Sequence, residues 1–336
     1  MEESPVSYLI GEGATRGETM DARDEQALDA VKLYYGTGLS QGEVAQRLGL
    51  SRPTGSKLIQ HGKDRGYVSI QIHDPREQES SLATELCNAF DLSDVRLAVV
   101  PESGHDLVGE LGKVGAALLA DNVNDGDSVG VTWGSTMYAV ARNLQRQERR
   151  GVEIIQLKGG VSYTTRATND FETITLFCNA FGAFARTLPL PVIFDSVEVK
   201  RLVEGEEHIR RVIDRGRESD VAVFTVGAIR PDAMLFNLGY LSETEEAGIA
   251  AHAVGDICSR FFDDDGNPCV PQLDERTVGI TLQDLRGVPT RLMVAGGEQK
   301  ATAIEAALRA GYATHLVIDQ DTARQVLRMT RRRAAS

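Results

Sequence analysis

The stretch Leu39-Ser-Gln-Gly-Glu-Val-Ala-Gln-Arg-Leu-Gly-Leu-Ser-Arg-Pro-Thr-Gly-Ser-Lys-Leu-Ile59 reads as two short helices joined by a tight turn. Ser40 is placed to cap the first helix, and Glu43, three residues on, completes a capping box. Val44, Ala45 and Leu48 give that helix an apolar face, and Gly49 breaks it. Ser51 caps the second helix, where Pro53 is tolerated in the first turn. Leu58 and Ile59 face inward. Ala45 is small where two helices must cross closely, and Leu50 plugs the space between them. The second helix is then expected to project Arg52, Thr54, Gly55, Ser56 and Lys57 outward, as a helix that reaches base edges in a DNA major groove requires. Gln41, Ser51, Arg52, Thr54, Ser56 and Lys57 are the candidate DNA contacts. From residue 40 to 66, Arg47, Arg52, Lys57, Lys63 and Arg65 stand against Glu43 and Asp64. A local excess of cations favours phosphate contact through counterion release.

The chain around this unit is acidic. Its 336 residues carry a formal net charge of −13, so it is not a nucleic-acid coat, although a small basic module on an acidic body is compatible with that balance. The sequence predicts a disordered segment over 1–22, without periodicity, and a DNA-binding domain over 23–72. That domain adds a helix from Asp24 to Tyr35 and a short strand from Tyr67 to Ile72. His73-Asp-Pro75 suggests a linker over 73–80. From there to residue 330 short apolar strands alternate with helical segments. The expected strands are Val95–Val100, Ser128–Thr132, Glu153–Leu157, Pro191–Phe194, Val221–Val226, Thr277–Ile280, Arg291–Ala295 and His315–Ile318. The expected helices are Asp106–Asn122, Ser135–Gln147, Asn169–Phe184, Glu206–Gly216, Glu243–Ala250 and Lys300–Ala310. This alternation implies an α/β domain with a doubly wound, mostly parallel sheet covered on both faces. Arg331-Arg-Arg333 reads as a basic tail over 331–336. The four cysteines, Cys87, Cys178, Cys258 and Cys269, form no C-x-x-C pair, so free thiols in a reducing cytoplasm are expected rather than zinc ligands. No signal peptide and no apolar run long enough to cross a membrane is visible.

Glycine-rich junctions follow several strands, where open parallel sheets bind ligands. Gly134 turns the chain after one strand, and Ser135 and Thr136 open a helix whose backbone N–H groups and hydroxyls suit a phosphate. Lys158 stands at a strand end before Gly159 and Gly160. Thr225-Val-Gly-Ala228 is a third junction and Asp256-Ile-Cys-Ser-Arg-Phe-Phe-Asp263 a fourth. In Val294-Ala-Gly-Gly-Glu-Gln-Lys300, Lys300 begins a helix in a place suited to an anion. Neither G-x-x-x-x-G-K-[ST] nor G-x-G-x-x-G is present. Asp263-Asp-Asp265 fits no EF-hand spacing and reads as a polar turn. No metal site, cofactor or catalytic set is expected.

From Leu33-Tyr-Tyr35 through the Lys300 junction the chain resembles the SorC/DeoR family of sugar-responsive bacterial regulators. Gly55 departs from the bulkier aliphatic residue expected there. The resemblance implies a sensor domain like ribose-5-phosphate isomerase and glucosamine-6-phosphate deaminase, double-stranded operator DNA and a phosphorylated sugar as partners, and a homo-oligomer, dimer or tetramer. It assigns Ser135, Thr136 and Lys300 to the phosphate, and Asp256 and Gln156 to sugar hydroxyls, with Gly134, Gly159 and Gly160 as further effector-binding residues. Lys158 is unusual in that place. It is similar to the Gram-positive deoxyribonucleoside branch, in which a lysine forms a Schiff base with deoxyribose 5-phosphate. A partly desolvated lysine is nucleophilic enough for that role. Simple phosphate pairing or a surface position are the alternatives, as is a different sugar phosphate bound without a covalent bond. An isomerase, deaminase or aldolase acting on such sugars is the competing function, against which the helix-turn-helix argues.

Overall fold

A computed structural model describes residues 6–10, 21–72, 75–100, 106–164 and 168–335. The chain divides into two compact units, Met1–Gln78 and Glu79–Ser336.

The first unit contains β1 (Val6–Ile10), α1 (Ala22–Val31, continued by a five-residue π turn, Lys32–Gly36), α2 (Gln41–Arg47), α3 (Arg52–Asp64) and β2 (Val68–Ile72). Ser40 and Glu43 form the reciprocal capping box, and Ser51 Oγ accepts from Thr54 N. Gly49 turns at φ +68°, and Leu50 N donates to the Ala45 carbonyl (2.8 Å). Ala27, Ala30, Val44, Leu58 and Ile59 are the centre of a small core. Under it, Asp24 on α1 is buried and accepts from His61 (2.8 Å) and Arg65 (2.6 Å), which ties α1 to α3. These hydrogen bonds hold the Asp24 carboxyl below the usual carboxylate range, the one to His61 most of all. Against the sequence reading, Val6–Ile10 are a strand, paired antiparallel with β2 from Val6↔Ile72 to Ile10↔Val68. A partner so far along the chain leaves no local periodicity. The rest of the expected disordered segment, save Asp21 and Ala22, lies outside the described residues.

The second unit begins within α4 (Pro75–Phe90). Residues 75–80, expected as linker, are the first turns of this helix, because proline is at home in the opening position. Residues 73 and 74 lie outside the described residues. The unit then runs β3 (Asp94–Ala98), α5 (Leu107–Asn122), β4 (Ser128–Val131), α6 (Ser135–Asn143), β5 (Glu153–Gln156), α7 (Asp170–Phe181) and β6 (Phe184–Arg186). Next come α8 (Val197–Gly205), α9 (Glu207–Arg217), β7 (Val221–Phe224), β8 (Gly227–Ala228), α10 (Glu243–His252), β9 (Gly255–Ile257) and β10 (Arg260–Phe262). It closes with α11 (Pro271–Asp274), α12 (Leu282–Gly287), β11 (Thr290–Val294), α13 (Ala301–Arg309), β12 (His315–Asp319) and α14 (Gln320–Ala334).

Seven strands form one sheet in the order β3-β12-β11-β7-β4-β5-β6, and every pairing in it is parallel. The inner strands β4, β5 and β7 are buried at every residue because both faces are covered. Val221 and Val223 of β7 join one core with α5, α6 and α7. Ala222 and Phe224 join the other, with α4, α13 and α14. The period-two alternation thus separates two cores. A smaller antiparallel sheet, β10-β9-β8, stands apart from the seven strands.

Two expected strands are absent. Residues 191–194 and 277–280 make only isolated bridges, Val161↔Pro191, Ile193↔Thr277 and Lys158↔Gly279. Pro191 has no N–H to give, and Gly279 sits at φ +109°. The expected basic tail is the last turn of α14, where cations favour a helix C-terminus. Arg331 pairs with Glu85, and Arg333 with Asp264 and Glu305.

Gly55 is buried rather than outward, and a Cβ there would lie 2.9 Å from Ala45 Cβ and 3.2 Å from its Cα. The glycine lets α3 pass close to α2. Gly55→Val is therefore expected to destabilise the first unit by about 1–3 kcal/mol through overpacking, read as faster amide hydrogen exchange in α2 and α3 with exchange in the seven-stranded sheet unchanged.

Candidate functional site

The candidate site is a cavity built from strand ends. It encloses about 520 Å³ and is lined by Thr132 to Thr136, Lys158, Thr225 to Ala228, Arg230, Asp232 to Leu235, Asp256, Cys258, Ser259, Gln299 and Lys300. Residues 132–136 follow β4, Thr225 follows β7, and Gln299 and Lys300 lie between β11 and α13, so the walls gather at the carboxyl ends of the central strands.

Lys158 is the centre of this site. Its side chain is 8% exposed, which removes the surface reading. Nζ donates to Ser259 Oγ (3.0 Å) and stands 3.8 Å from the ring centroid of Trp133. Burial pushes the lysine below its ordinary value, with the Asp256 carboxylate acting in the opposite sense. Lys300 is lowered for the same reason and opposed by the same carboxylate. Asp256 is raised by its own burial, against the pull of both lysines. The three groups form one coupled set, in which proton transfer at one changes the others. Gly227 exists for this set, since a Cβ there would collide with Asp256 Oδ1.

Ser259 reaches Lys158 because β9 and β10 are joined by a two-residue turn, Cys258 and Ser259, with φ of +54° and +65°. A hairpin turn of that hand wants glycine or asparagine, and side chains there cost strain. The turn is held by Arg260. That guanidinium is buried and donates through Nε to the Ile280 carbonyl (2.7 Å), through one terminal nitrogen to Asp274 O (2.9 Å) and Oδ1 (2.7 Å), and through the other to the Thr277 and Gly279 carbonyls (3.1 Å each). Gly279 in turn bridges Lys158, so the same bonds tie the hairpin to the lysine's own backbone.

Of the residues singled out in the sequence, Gly134, Ser135, Thr136, Lys158, Asp256 and Lys300 line one cavity. Gly134 adopts φ +130° and precedes α6, whose first turn holds exposed Ser135 and buried Thr136. Gln156 is a correction: it does not line the cavity, because its Oε1 accepts from Leu188 N (3.0 Å) on the outer side of β5. Gly159 and Gly160 do not line it either. Gly159 offers its carbonyl to Trp133 Nε1 (2.7 Å), and side chains at the two positions would strike Pro191 O and the Asp170 carboxylate. Sequence reasoning missed Thr132, Trp133 and Ser259. The buried Thr132 Oγ1 has no hydrogen-bond partner among the described residues.

In the first unit, Arg52, Thr54 and Lys57 are exposed at the start of α3, Ser56 and Gln41 are half-buried, and Ser51 Oγ lies 2.8 Å from Thr54 Oγ1.

A sequence profile described as "Putative sugar-binding domain" matches residues 74–328. The deoxyribonucleoside regulator of Bacillus subtilis (strain 168) is 44% identical over 310 residues, covering 92% of this chain and 99% of that one. The chain belongs to the SorC/DeoR family of sugar-responsive transcriptional regulators. The transcriptional regulator LsrR of Escherichia coli (strain SMS-3-5 / SECEC) is 32% identical over 91% of this chain and 95% of its own length. The full-length sorbitol operon regulator SorC from Klebsiella pneumoniae superposes with a TM-score of 0.68 at 25% identity, covering 92% of this chain and all of that one. These relatives are regulators, so the isomerase, deaminase and aldolase readings are set aside. No described helix is long and apolar enough to cross a membrane.

Arg260→Met keeps the volume of the side chain but removes five guanidinium hydrogen bonds from the 274–280 segment. It is expected to cost about 3–5 kcal/mol, measured by denaturation followed through the fluorescence of Trp133, the chain's single tryptophan.

Proposed function

We propose that this regulator is a repressor whose effector is the open-chain aldehyde of deoxyribose 5-phosphate, captured as a Schiff base on Lys158. The observation that carries the reading is the buried amine itself. Lys158 lies in a cavity beside an acid whose proton is held more tightly than usual. The neutral Nζ attacks the aldehyde carbon, and the C–N bond forms as the carbonyl oxygen takes up a proton. The carbinolamine then loses its hydroxyl as water, protonated by Asp256, leaving C=N. Amine plus aldehyde give imine plus water, with no other reactant. The phosphate is assigned to the N-terminus of α6, with Ser135 and Thr136, and to Lys300. The unpartnered Thr132 hydroxyl is a further donor for the sugar. Val226, Ala228 and Met234 supply apolar wall suited to a carbon without a hydroxyl. The name of the Bacillus relative, a deoxyribonucleoside regulator, supports this choice of sugar.

The repressor reads operator DNA through α3, with Arg52 and Lys57 as the leading contacts and Gln41, Ser51, Thr54 and Ser56 around them. It acts as a homo-oligomer, dimer or tetramer. The large exposed apolar side chains Phe171 (79%), Leu202 (75%) and Phe184 (62%) are of the kind that self-association covers. The effector lowers operator affinity by binding more tightly to the state that fits DNA less well.

Borohydride reduction in the presence of deoxyribose 5-phosphate is expected to leave one sugar-phosphate adduct, mapped by peptide mass spectrometry to Lys158 and absent from Lys158→Arg. No adduct, with thermal stabilisation by another sugar phosphate instead, would reassign the effector. Arg52→Ala is expected to weaken operator binding by about 1–3 kcal/mol while leaving adduct yield unchanged. Lys57→Ala should reduce the slope of log affinity against log salt by about 1. Normal operator binding by both variants would move the DNA face elsewhere.

A further inference from the structure

Trp133 has two contacts that a core tryptophan does not need together. Its Nε1 donates to the Gly159 carbonyl (2.7 Å), which fixes the ring plane, and its ring face meets Lys158 Nζ at 3.8 Å from the centroid. The indole is 4% exposed and lines the cavity. A desolvated ammonium over an indole face is stabilised by the ring quadrupole, and a neutral amine gains nothing comparable.

We propose that Trp133 holds Lys158 as a cation over its ring and so sets the pH at which this lysine becomes a free amine. It is a positioning residue for the covalent capture of the effector. Capture rests on the Schiff-base reading above; the pairing of indole and ammonium does not.

The other groups acting on Lys158 are few among the described residues. Asp256 of β9 favours the cation and burial opposes it. Cys258, in the hairpin turn, has a thiol pushed up to about 11 by burial and is uncharged through the neutral range. Lys300 competes for the Asp256 carboxylate. Ser259 Oγ accepts from the ammonium and can donate its own proton to the free amine or the imine, so it serves both states and does not choose between them. Trp133 favours the charged form without being titratable itself. It offsets the desolvation that would otherwise leave the amine neutral, and consequently promiscuous toward any aldehyde, at rest.

The test is competitive labelling of the full chain with acetic anhydride across pH, read at the Lys158 peptide by mass spectrometry. The wild type is compared with Trp133→Phe, which keeps a weaker ring and loses the N–H, and Trp133→Leu, which loses both. Removing the ring is expected to move the labelling midpoint about one pH unit lower in Trp133→Leu, with Trp133→Phe between. Identical midpoints in all three proteins would overturn the proposal. Equal shifts in both variants would also overturn it, by assigning the effect to the lost Gly159 hydrogen bond. Should Trp133→Leu fail to fold, the wild-type indole emission still decides. It should show an alkaline transition that Lys158→Met lacks, and a wild type without that transition sinks the pairing. Borohydride trapping of deoxyribose 5-phosphate, run in parallel, separates the two readings. A labelling shift without trapping removes the effector and keeps the pairing, and trapping without a shift does the reverse.

Discussion

The guanidinium of Arg260 uses all five of its N–H donors inside the protein, four of them on carbonyls of residues 274–280 and one on the Asp274 carboxylate. Such a side chain is costly to bury and worth keeping only if its bonds hold something that would otherwise relax. What it holds is the turn at Cys258 and Ser259, two non-glycine residues at positive φ. Each such residue costs about 1–3 kcal/mol, and the hairpin would shed that strain by sliding if its end were free. Because Arg260 directly follows Ser259 and bonds to the segment bridged to Lys158, strain and restraint act on the same few atoms. The serine hydroxyl and the lysine amine are thus held together by a buried network whose partners come from far apart in the chain.

The cavity carries two lysines and one acid whose ionisation burial resists in every case. Left alone, each would drift toward neutrality. Together they compensate, one carboxylate between two cations, and the remaining positive charge suits an anionic ligand. A sugar phosphate supplies that charge at one end and a carbonyl at the other. In the proposed reading these demands are separate: Lys300 and the start of α6 are the anion seat, while Lys158 meets Trp133 and Ser259. A ligand without phosphate would leave the positive seat unmatched, and one without an open carbonyl would gain nothing from the buried amine.

The helix-turn-helix was legible because its signals are local: a cap, a box, a turn glycine and a plug within some twenty residues. Gly55 misled for the same reason. Its meaning depends on Ala45 across the helix crossing, a contact that helical spacing does not express. The parallel sheet was legible in its long apolar strands but not in β6, which is three residues long. The helix α14 was masked by its charge. Its apolar stripe is short, Ala323, Val326 and Leu327 with Met329 partly buried, and the arginines that pair with Glu85, Asp264 and Glu305 read as a tail in sequence. Ser135, Thr136, Lys158 and Lys300, which line the cavity, were legible because each follows a strand, whereas Asp256, inside β9, was legible through the family resemblance. Trp133 and Ser259 were not legible, since the lysine's partners are joined to it only by folding, Ser259 from 101 residues away.

A lysine that forms an imine is the first half of an aldolase or isomerase. What divides a sensor from an enzyme is the second half. Turnover requires a base placed to remove a proton from the carbon chain of the imine, and an acid to return it. The cavity's carboxylates are Asp256 and Asp232. Asp256 is coupled to the two lysines and is the acid of the proposed dehydration step, and Asp232 receives Arg230 in a paired, exposed contact (2.9 and 3.0 Å). Beyond these two, no carboxylate lines the cavity among the described residues. On the proposed reading, chemistry that stops at the imine is reversible with water alone, and occupancy would follow the concentration of the sugar phosphate. The proposed covalent bond would then add selectivity for an open aldehyde without consuming the molecule it reports.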